Sequence, residues 1–146
     1  MSNWLSRPLV VLLMLVGGVG LTPLSAGADP GVTITVAPQA ALLDPTLVRV
    51  SVEITCAPMQ VAFNMGNAQL EQAVSKTQIA HGSGFEQSQI VCDGAFHPNS
   101  YLMWADSGGP PFKQGDATVN ISAYLCDSTF ICQSGSSGIQ VIRLKK

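Results

Sequence analysis

Apolar and polar side chains alternate strictly along residues 47–56, LVRVSVEITC. A period of two places successive side chains on opposite faces of a strand, so that one face is buried and the other meets solvent. Residues 117–126, ATVNISAYLC, repeat the pattern. It predicts two half-buried strands of an antiparallel sheet, with these side chains inward: Val48, Val50, Val52, Ile54, Cys56, Val119, Ile121, Ala123 and Leu125.

Shorter segments predict further strands. Residues 32–36 and 138–144 are rich in β-branched residues and form the first and last candidates, with a short one at 59–64. Residues 87–92 and 96–105 are separated by a pair of residues, Asp93 and Gly94, that tolerate positive φ, which favours a tight hairpin.

Residues 67–78 have the propensity of a helix, but they lie among short strands and turn signals. We therefore interpret them as strand and loop. About seven short strands within one chain of this size predict an immunoglobulin-like antiparallel β-sandwich, with an antiparallel β-barrel as the alternative.

Residues 1–28 have the pattern of a secretory signal peptide. Arg7 precedes an uncharged apolar run of 13 residues, and Ala26 and Ala28 supply the small side chains that a signal peptidase accepts. The run is shorter than the roughly 20 residues that span a bilayer. We expect export to an extracytoplasmic or secreted location, no membrane span after cleavage, and one domain over residues 29–146.

The charge of the segment 29–146 limits its partners. Without Arg7 it carries six basic and nine acidic side chains, and charged residues are 11% of the whole chain. A nucleic-acid partner is not expected, because phosphate recognition needs clustered lysine and arginine.

Four cysteines in a small exported domain normally pair, since the compartments outside the cytoplasm are oxidising. Cys56 continues the buried face of its strand, and Cys92 shares parity with Ile90. Cys126 has the opposite parity to Leu125, which predicts an outward side chain that reaches Cys132 across the turn DSTFI. The expected disulfides are Cys56–Cys92 and Cys126–Cys132.

A metal or redox role for these cysteines is the weaker alternative. A redox pair has two intervening residues and begins a helix, whereas Cys126 and Cys132 have five and follow a strand. A zinc site needs four ligands, which oxidation during export would remove. We expect no metal and no cofactor.

Catalytic residues are scarce. His81 and His97 are the only histidines, and neither belongs to a nucleophile elbow or a metalloprotease helix. The aspartates near turns are most simply backbone caps, and a glycosidase pair or calcium site is a remote alternative: Asp93, Asp106, Asp116 and Asp127. No catalytic residue is assigned.

Three aromatic side chains carry further expectations. Trp104 shares parity with Leu102 and is interpreted as core. Phe112 lies in a Gly- and Pro-rich stretch, where it either plugs one end of the fold or belongs to a binding loop. Phe130 lies at the tip of the Cys126–Cys132 loop, where it either folds back onto the sheet, which we favour, or meets a partner.

A strand ending in Cys56, followed by CDGAFHP, PFKQGDATV, CDSTFIC and a final IQVIRL, resembles small exported immunoglobulin-like domains of bacteria whose function is unassigned. The layout of CDSTFICQSGSSGIQVIRL is also similar to the C-terminal hairpin of neocarzinostatin-type apoproteins. That second resemblance implies a sandwich with two disulfides that holds a small chromophore in a cleft. The long spacing of Cys56 and Cys92 departs from that family.

The combined pattern predicts a non-enzymatic, exported binding or cell-envelope interaction module. Its partner is an unknown protein, with Phe112 and Phe130 as speculative contacts. A carrier of a small hydrophobic ligand is the alternative that the second resemblance implies, and a hydrolase is a remote one.

Overall fold

The computed structural model describes residues 31–146, and the signal segment predicted at 1–28 lies outside the described residues. The described part of the chain is all-β, as predicted, and contains no helix. Its nine strands are β1 (Thr33–Asp44), β2 (Leu47–Thr55), β3 (Phe63–Asn64), β4 (Asn67–Ala73), β5 (Ile79–Glu86), β6 (His97–Ala105), β7 (Gly115–Cys126), β8 (Cys132–Ser136) and β9 (Gln140–Lys145).

Seven strands pair in a closed ring. The order β7–β4–β5–β6–β2–β1–β9 returns to β7 through a further ladder with β9, while β3 and β8 each pair with β7 outside the ring. The prediction of a purely antiparallel sheet is wrong for one ladder, because β1 and β9 are parallel at Gln39↔Arg143. This parallel ladder begins within the register shift between Val36 and Ala40, where the regular pairing of β1 with β2 is interrupted.

The alternation of β2 and β7 is confirmed. The inward side chains of β2 are at most 3% exposed, and those of β7 from Ala117 to Leu125 are at most 4% exposed. Each fully buried valine, leucine or isoleucine side chain contributes about 1.5–3 kcal/mol to the stability of the fold, because its apolar surface is removed from water. These two strands therefore supply much of the core.

Trp104 is not a core residue, and that prediction is wrong. Trp104 is 41% exposed, whereas Tyr101 and Met103 are fully buried. The reason is the register with β2, which sets Met103 opposite Val48 and Tyr101 opposite Val50, both of them inward-facing. Four consecutive large side chains, YLMW, hide this parity in the sequence.

The hairpin predicted around Asp93 and Gly94 is also wrong. Residues 87–92 form no strand beyond the single bridge Met59↔Cys92, and β6 pairs instead with β5 and β2. The strand expected at 59–64 shortens to β3. Residues 67–78 are strand followed by loop, as predicted.

The 106–114 segment is fixed near its C-terminal end by a buried amide. Gln72, 4% exposed, donates from Nε2 to the Lys113 carbonyl at 2.8 Å and accepts the Lys113 N–H at 2.8 Å. The neighbouring Phe112 N–H donates to the Pro45 carbonyl at 2.8 Å. Because these backbone groups are satisfied, an irregular segment can be held against the core.

Both disulfides, Cys56–Cys92 and Cys126–Cys132, are the pairs expected from the sequence. Cys126 has the outward direction that its parity predicts, although the residue is only 3% exposed. Cys126 does lie on the face opposite to that of Leu125, but Phe63 of β3 stands directly across the ladder and contributes to its burial.

Candidate functional site

The β7–β8 hairpin ends in a tight loop that a single carboxylate organises. Asp127 Oδ1 accepts hydrogen bonds from the Thr129 N–H at 2.8 Å, the Thr129 hydroxyl at 2.8 Å and the Ile131 N–H at 3.0 Å. The Thr129 hydroxyl and the other bonds hold the pKa of Asp127 below its ordinary value. Three donors on one oxygen, together with the Cys126–Cys132 bond, fix the loop conformation.

Phe130 occupies a backbone conformation that side chains rarely adopt. Its φ is +62°, and it is the only non-glycine residue with positive φ among the described residues. A three-residue hairpin loop places its last residue in this left-handed region, where glycine or asparagine is usual. For a bulky residue the conformation costs about 1–2 kcal/mol. The chain therefore holds a phenylalanine at a strained position.

The Phe130 ring packs against Phe63 of β3 on one side and meets solvent on the other, so that the folding back onto the sheet favoured from the sequence is only partial. It is 76% exposed, and its one aromatic neighbour is Phe63, whose ring is stacked on it at a centroid distance of 5.6 Å.

Four large side chains form one exposed face around this stack. Met65 lies just after β3, two positions beyond Phe63, and its N–H donates a hydrogen bond to the Tyr124 carbonyl of β7. Since side chains two apart share a strand face, Tyr124 and Cys126 lie on the same side as Phe63. We define the aromatic surface as Phe63, Met65, Tyr124 and Phe130, which are 43–76% exposed.

The border of the aromatic surface is polar and carries no positive charge. No lysine or arginine occurs in residues 57–73 or 115–136, which supply the aromatic surface and its surroundings. The cross-strand register places small polar side chains beside it: Asn67, Ser122, Ser134 and Ser136. An apolar centre with a polar rim is the composition of protein–protein interfaces.

Phe112, the other aromatic residue singled out in the sequence, is at the opposite end of β7. It is 2% exposed and fills the space beside Gly82, where an added Cβ would lie 2.8 Å from the Phe112 ring. β7 runs from Gly115, near Phe112, to Cys126, next to the Phe130 loop. The structure therefore does not bring Phe112 and Phe130 together. Phe112 fills the end of the fold at which β7 begins.

Each histidine lies beside one carboxylate at the surface. His97 Nε2 is 2.8 Å from Asp93 Oδ1, and His81 Nδ1 is 3.3 Å from Glu71 Oε1. The pKa of Asp93 is lowered by the backbone N–H of Ala95 and then by His97. Within residues 31–146 neither imidazole is hydrogen-bonded to a serine or threonine hydroxyl, so neither pair forms a nucleophile–base arrangement there.

The sequence interpretation missed Phe63 and Met65 as surface residues. The signal that was available is the alternation Phe63, Met65 in AFNMGN, which puts both side chains on one face of a strand. A second exposed aromatic pair was also missed: Phe85 lies 5.3 Å from Trp104 between ring centroids, on the outer side of β5 and β6.

Membrane-spanning helices, metal-binding groups and similarity to known proteins were the remaining possible indications of function. Residues 31–146 contain no helix with the length and hydropathy needed to cross a membrane. Over the same residues, no three side chains of His, Cys, Asp or Glu gather into a group able to hold a metal ion. The chain matches no protein-family model, no curated protein and no solved structure.

Proposed function

We propose that the protein is an exported, non-enzymatic binding module that contacts a partner protein through the aromatic surface. The observation that carries the proposal is Phe130: a bulky ring at φ +62°, 76% exposed, in a loop fixed by a disulfide and by the Asp127 carboxylate. Strained backbone conformations persist where the surrounding structure enforces them, and they cluster at binding sites.

A protein partner accounts for the surface better than a lipid bilayer. Binding to an anionic membrane surface draws on lysine and arginine near the apolar side chains, and the segments that build this surface have none. Exposed aromatic residues in a preorganised setting are the anchors that dominate protein interfaces. Export is supported by the two disulfides, which persist in oxidising compartments.

The scaffold we propose is an immunoglobulin-like sandwich. The ring order supports it, since β1–β2–β6–β5 and β4–β7–β9 correspond to the two layers ABED and CFG of that fold. On this assignment the β4–β5 and β1–β9 ladders join the layers along both sides. The Cys56–Cys92 disulfide departs from the usual inter-sheet bridge, because it joins the end of β2 to the segment before β6.

The test is site-specific photo-cross-linking in the producing cells. A photoreactive benzoylphenylalanine replaces either Phe130 or Ile139, which is 75% exposed just before β9 and serves as the matched control. We expect a discrete protein adduct from position 130 only. Excess wild-type protein should compete with it, and excess Phe130→Ser protein should not.

The same experiment separates the alternatives. Adducts of equal yield from positions 130 and 139 would contradict the proposal, and lipid adducts from position 130 would replace the protein partner with a membrane. An adduct of twice the chain mass would identify the partner as a second copy of this chain.

The second candidate function is that of a carrier for a small hydrophobic ligand. It is supported by a groove that does not involve the aromatic surface. A cavity of about 450 Å³ opens at the β1 irregularity, with apolar walls that include Val36, Pro38 and Pro98. This volume lies in the range of small-molecule sites. Binding of an apolar fluorescent probe that Ala37→Trp abolishes would support the carrier, and equal probe binding by that variant would contradict it.

A further inference from the structure

The basic side chains of the described residues gather toward one end of the molecule. At this end β1, β4, β6 and β9 finish, and β2, β5 and β7 begin. The lysines and arginines of residues 31–146 are all exposed: Arg49, Lys76, Lys113, Arg143, Lys145 and Lys146. They come from separate parts of the chain, so that only the fold brings them together. We call these side chains and the end that they occupy the basic end.

Strand pairing places three of the basic residues on one face. Ala41 of β1 pairs with Arg49 of β2 on one side and with Lys145 of β9 on the other. Directly opposed residues of a ladder are neighbours on the same face, so Arg49 and Lys145 share a row across three strands. Arg143 lies two positions before Lys145 and shares its face. A cavity of about 500 Å³ opens here, and its walls are Gln114, Gly115, Arg143, Leu144, Lys145 and Lys146.

Lys113 and Lys76 extend the basic end to the other side of β7. Gln72 holds the Lys113 backbone just before β7 begins, and Lys113 Nζ donates to the Val74 carbonyl at 3.5 Å. Lys76 lies two positions beyond Val74, in the turn between β4 and β5. The cationic groups therefore surround the start of β7 instead of converging on one point.

Acidic side chains are distributed differently. Those near the basic end are Asp44, Glu71, Asp106 and Asp116. Asp116 lies 3.5 Å from Arg143, and Glu71 lies 3.3 Å from His81, so that two of them have local cationic or titratable neighbours. The others lie toward the opposite end, where residues 31–146 supply no lysine or arginine: Glu53, Glu86, Asp93 and Asp127. The two ends of the described chain therefore carry net charges of opposite sign.

The distance between the ends keeps these charges independent. β7 runs the length of the molecule from Gly115 to Cys126, and a strand rises about 3.3 Å per residue, so that roughly 35 Å separate its ends. The Debye length at physiological ionic strength is about 8 Å. The carboxylates of the far end therefore do not cancel the positive potential of the basic end.

Apolar side chains are exposed among the basic ones. Leu43 is 45% exposed at the end of β1, two positions beyond the Ala41 that pairs with Lys145. Ile79 is 52% exposed at the start of β5, next to the turn that contains Lys76. Exposed apolar side chains interspersed with lysine and arginine are the combination that binds the interface of an anionic bilayer. A small anion would need cationic groups that converge on it, whereas these are spread over an extended surface.

We propose that the basic end binds the surface of an anionic lipid bilayer, with its lysines and arginines on the lipid phosphates and with Leu43 and Ile79 at the level of the headgroups. In this orientation the aromatic surface, at the opposite end of β7, points away from the lipid. The lipid contact does not depend on the protein partner proposed above, so either can fail alone.

The test is co-sedimentation of the purified protein with vesicles of phosphatidylglycerol mixed with phosphatidylcholine, or of phosphatidylcholine alone. We expect binding to the anionic vesicles only. Raising the salt from about 0.1 M to about 1 M should abolish it, because the Debye length falls from about 10 to about 3 Å. Lys145→Gln combined with Lys146→Gln should weaken it about 25-fold, since each lysine near an anionic surface is worth about fivefold.

The matched control is Gln87→Glu combined with Gln89→Glu, at exposed positions toward the opposite end. It changes the net charge by the same amount, but its affinity should stay within about twofold of wild type because these positions lie beyond the Debye length. An equal loss in the two double variants would overturn the proposal, and so would equal binding to phosphatidylcholine alone or no binding to the anionic vesicles. Binding of soluble polyphosphate in place of vesicles, abolished by the lysine substitutions, would replace the bilayer with a polyanion.

Discussion

The two disulfides join very different parts of the molecule. Cys56–Cys92 closes a sequence separation of 36 and lies in the core, with Cys56 at 1% and Cys92 at 7% exposure. Cys126–Cys132 closes a separation of six across directly paired residues of one hairpin. Only the second lies under an exposed aromatic stack, formed by Phe63 and Phe130.

The two disulfides differ in what they contribute to the molecule: one mainly stabilises the fold, and the other positions the exposed loop of Phe130. A long closed loop restricts the unfolded chain strongly, whereas a short one restricts a segment that is already local. The hairpin disulfide therefore has less to contribute to the fold, and its position beneath Phe130 gives it a second role. We infer that Cys56–Cys92 holds the scaffold and that Cys126–Cys132 holds the binding surface.

The largest expected effect is the loss of the long-range disulfide. Replacing Cys56 and Cys92 by alanine should lower the free energy of unfolding by about 4 kcal/mol, because a closed loop of this length is lost from the unfolded state. Denaturant unfolding monitored by fluorescence measures it. If removal of Cys56–Cys92 lowered the free energy of unfolding by less than removal of Cys126–Cys132, the assignment of the stabilising role to Cys56–Cys92 would be wrong.

Removal of the hairpin disulfide should have a smaller effect on stability and a larger one on contact. Replacing Cys126 and Cys132 by alanine should lower the free energy of unfolding by about 2.4 kcal/mol. It should also remove most of the cross-linked adduct formed from position 130, because the loop is no longer fixed. Retention of the full adduct would show that the disulfide does not position Phe130.

A smaller effect should come from the charge of Asp127. Its hydrogen bond from Thr129 lowers its pKa in the folded state below the ordinary value of 3.8. A lowered pKa stabilises the fold above pH 3.8, and the contribution is lost as the pH falls through the folded-state value. Asp127→Asn should therefore be less stable than wild type at neutral pH, with the difference shrinking in acid. A difference that is constant from pH 7 to pH 2.5 would contradict this account.

The sequence predicted those parts of the structure that depend on local periodicity. The strands β2 and β7 alternate along most of their length, so that their inward faces could be assigned from the residues alone. The two disulfides followed from parity and spacing. Trp104 could not be placed, because four neighbouring apolar residues give no parity and the register with β2 decides the inward pair.

The aromatic surface was predictable only in part. Phe130 was singled out from its position in a short disulfide loop, but its exposure depends on a positive φ that a phenylalanine does not signal. Phe63 joins it through the β3–β7 ladder, a pairing between segments about 60 positions apart that no local pattern reveals.

The most direct test of the account is the effect of Phe130→Gly on stability in a Phe63→Ala background. Without Phe63 the stacking is absent, so that the substitution reports the backbone conformation of residue 130 alone. If the chain holds Phe130 at φ +62° for contact and not for stability, glycine should raise the free energy of unfolding by about 1 kcal/mol. A decrease of similar size would show that Phe130 stabilises the fold, and the claim that it is kept for binding would fail.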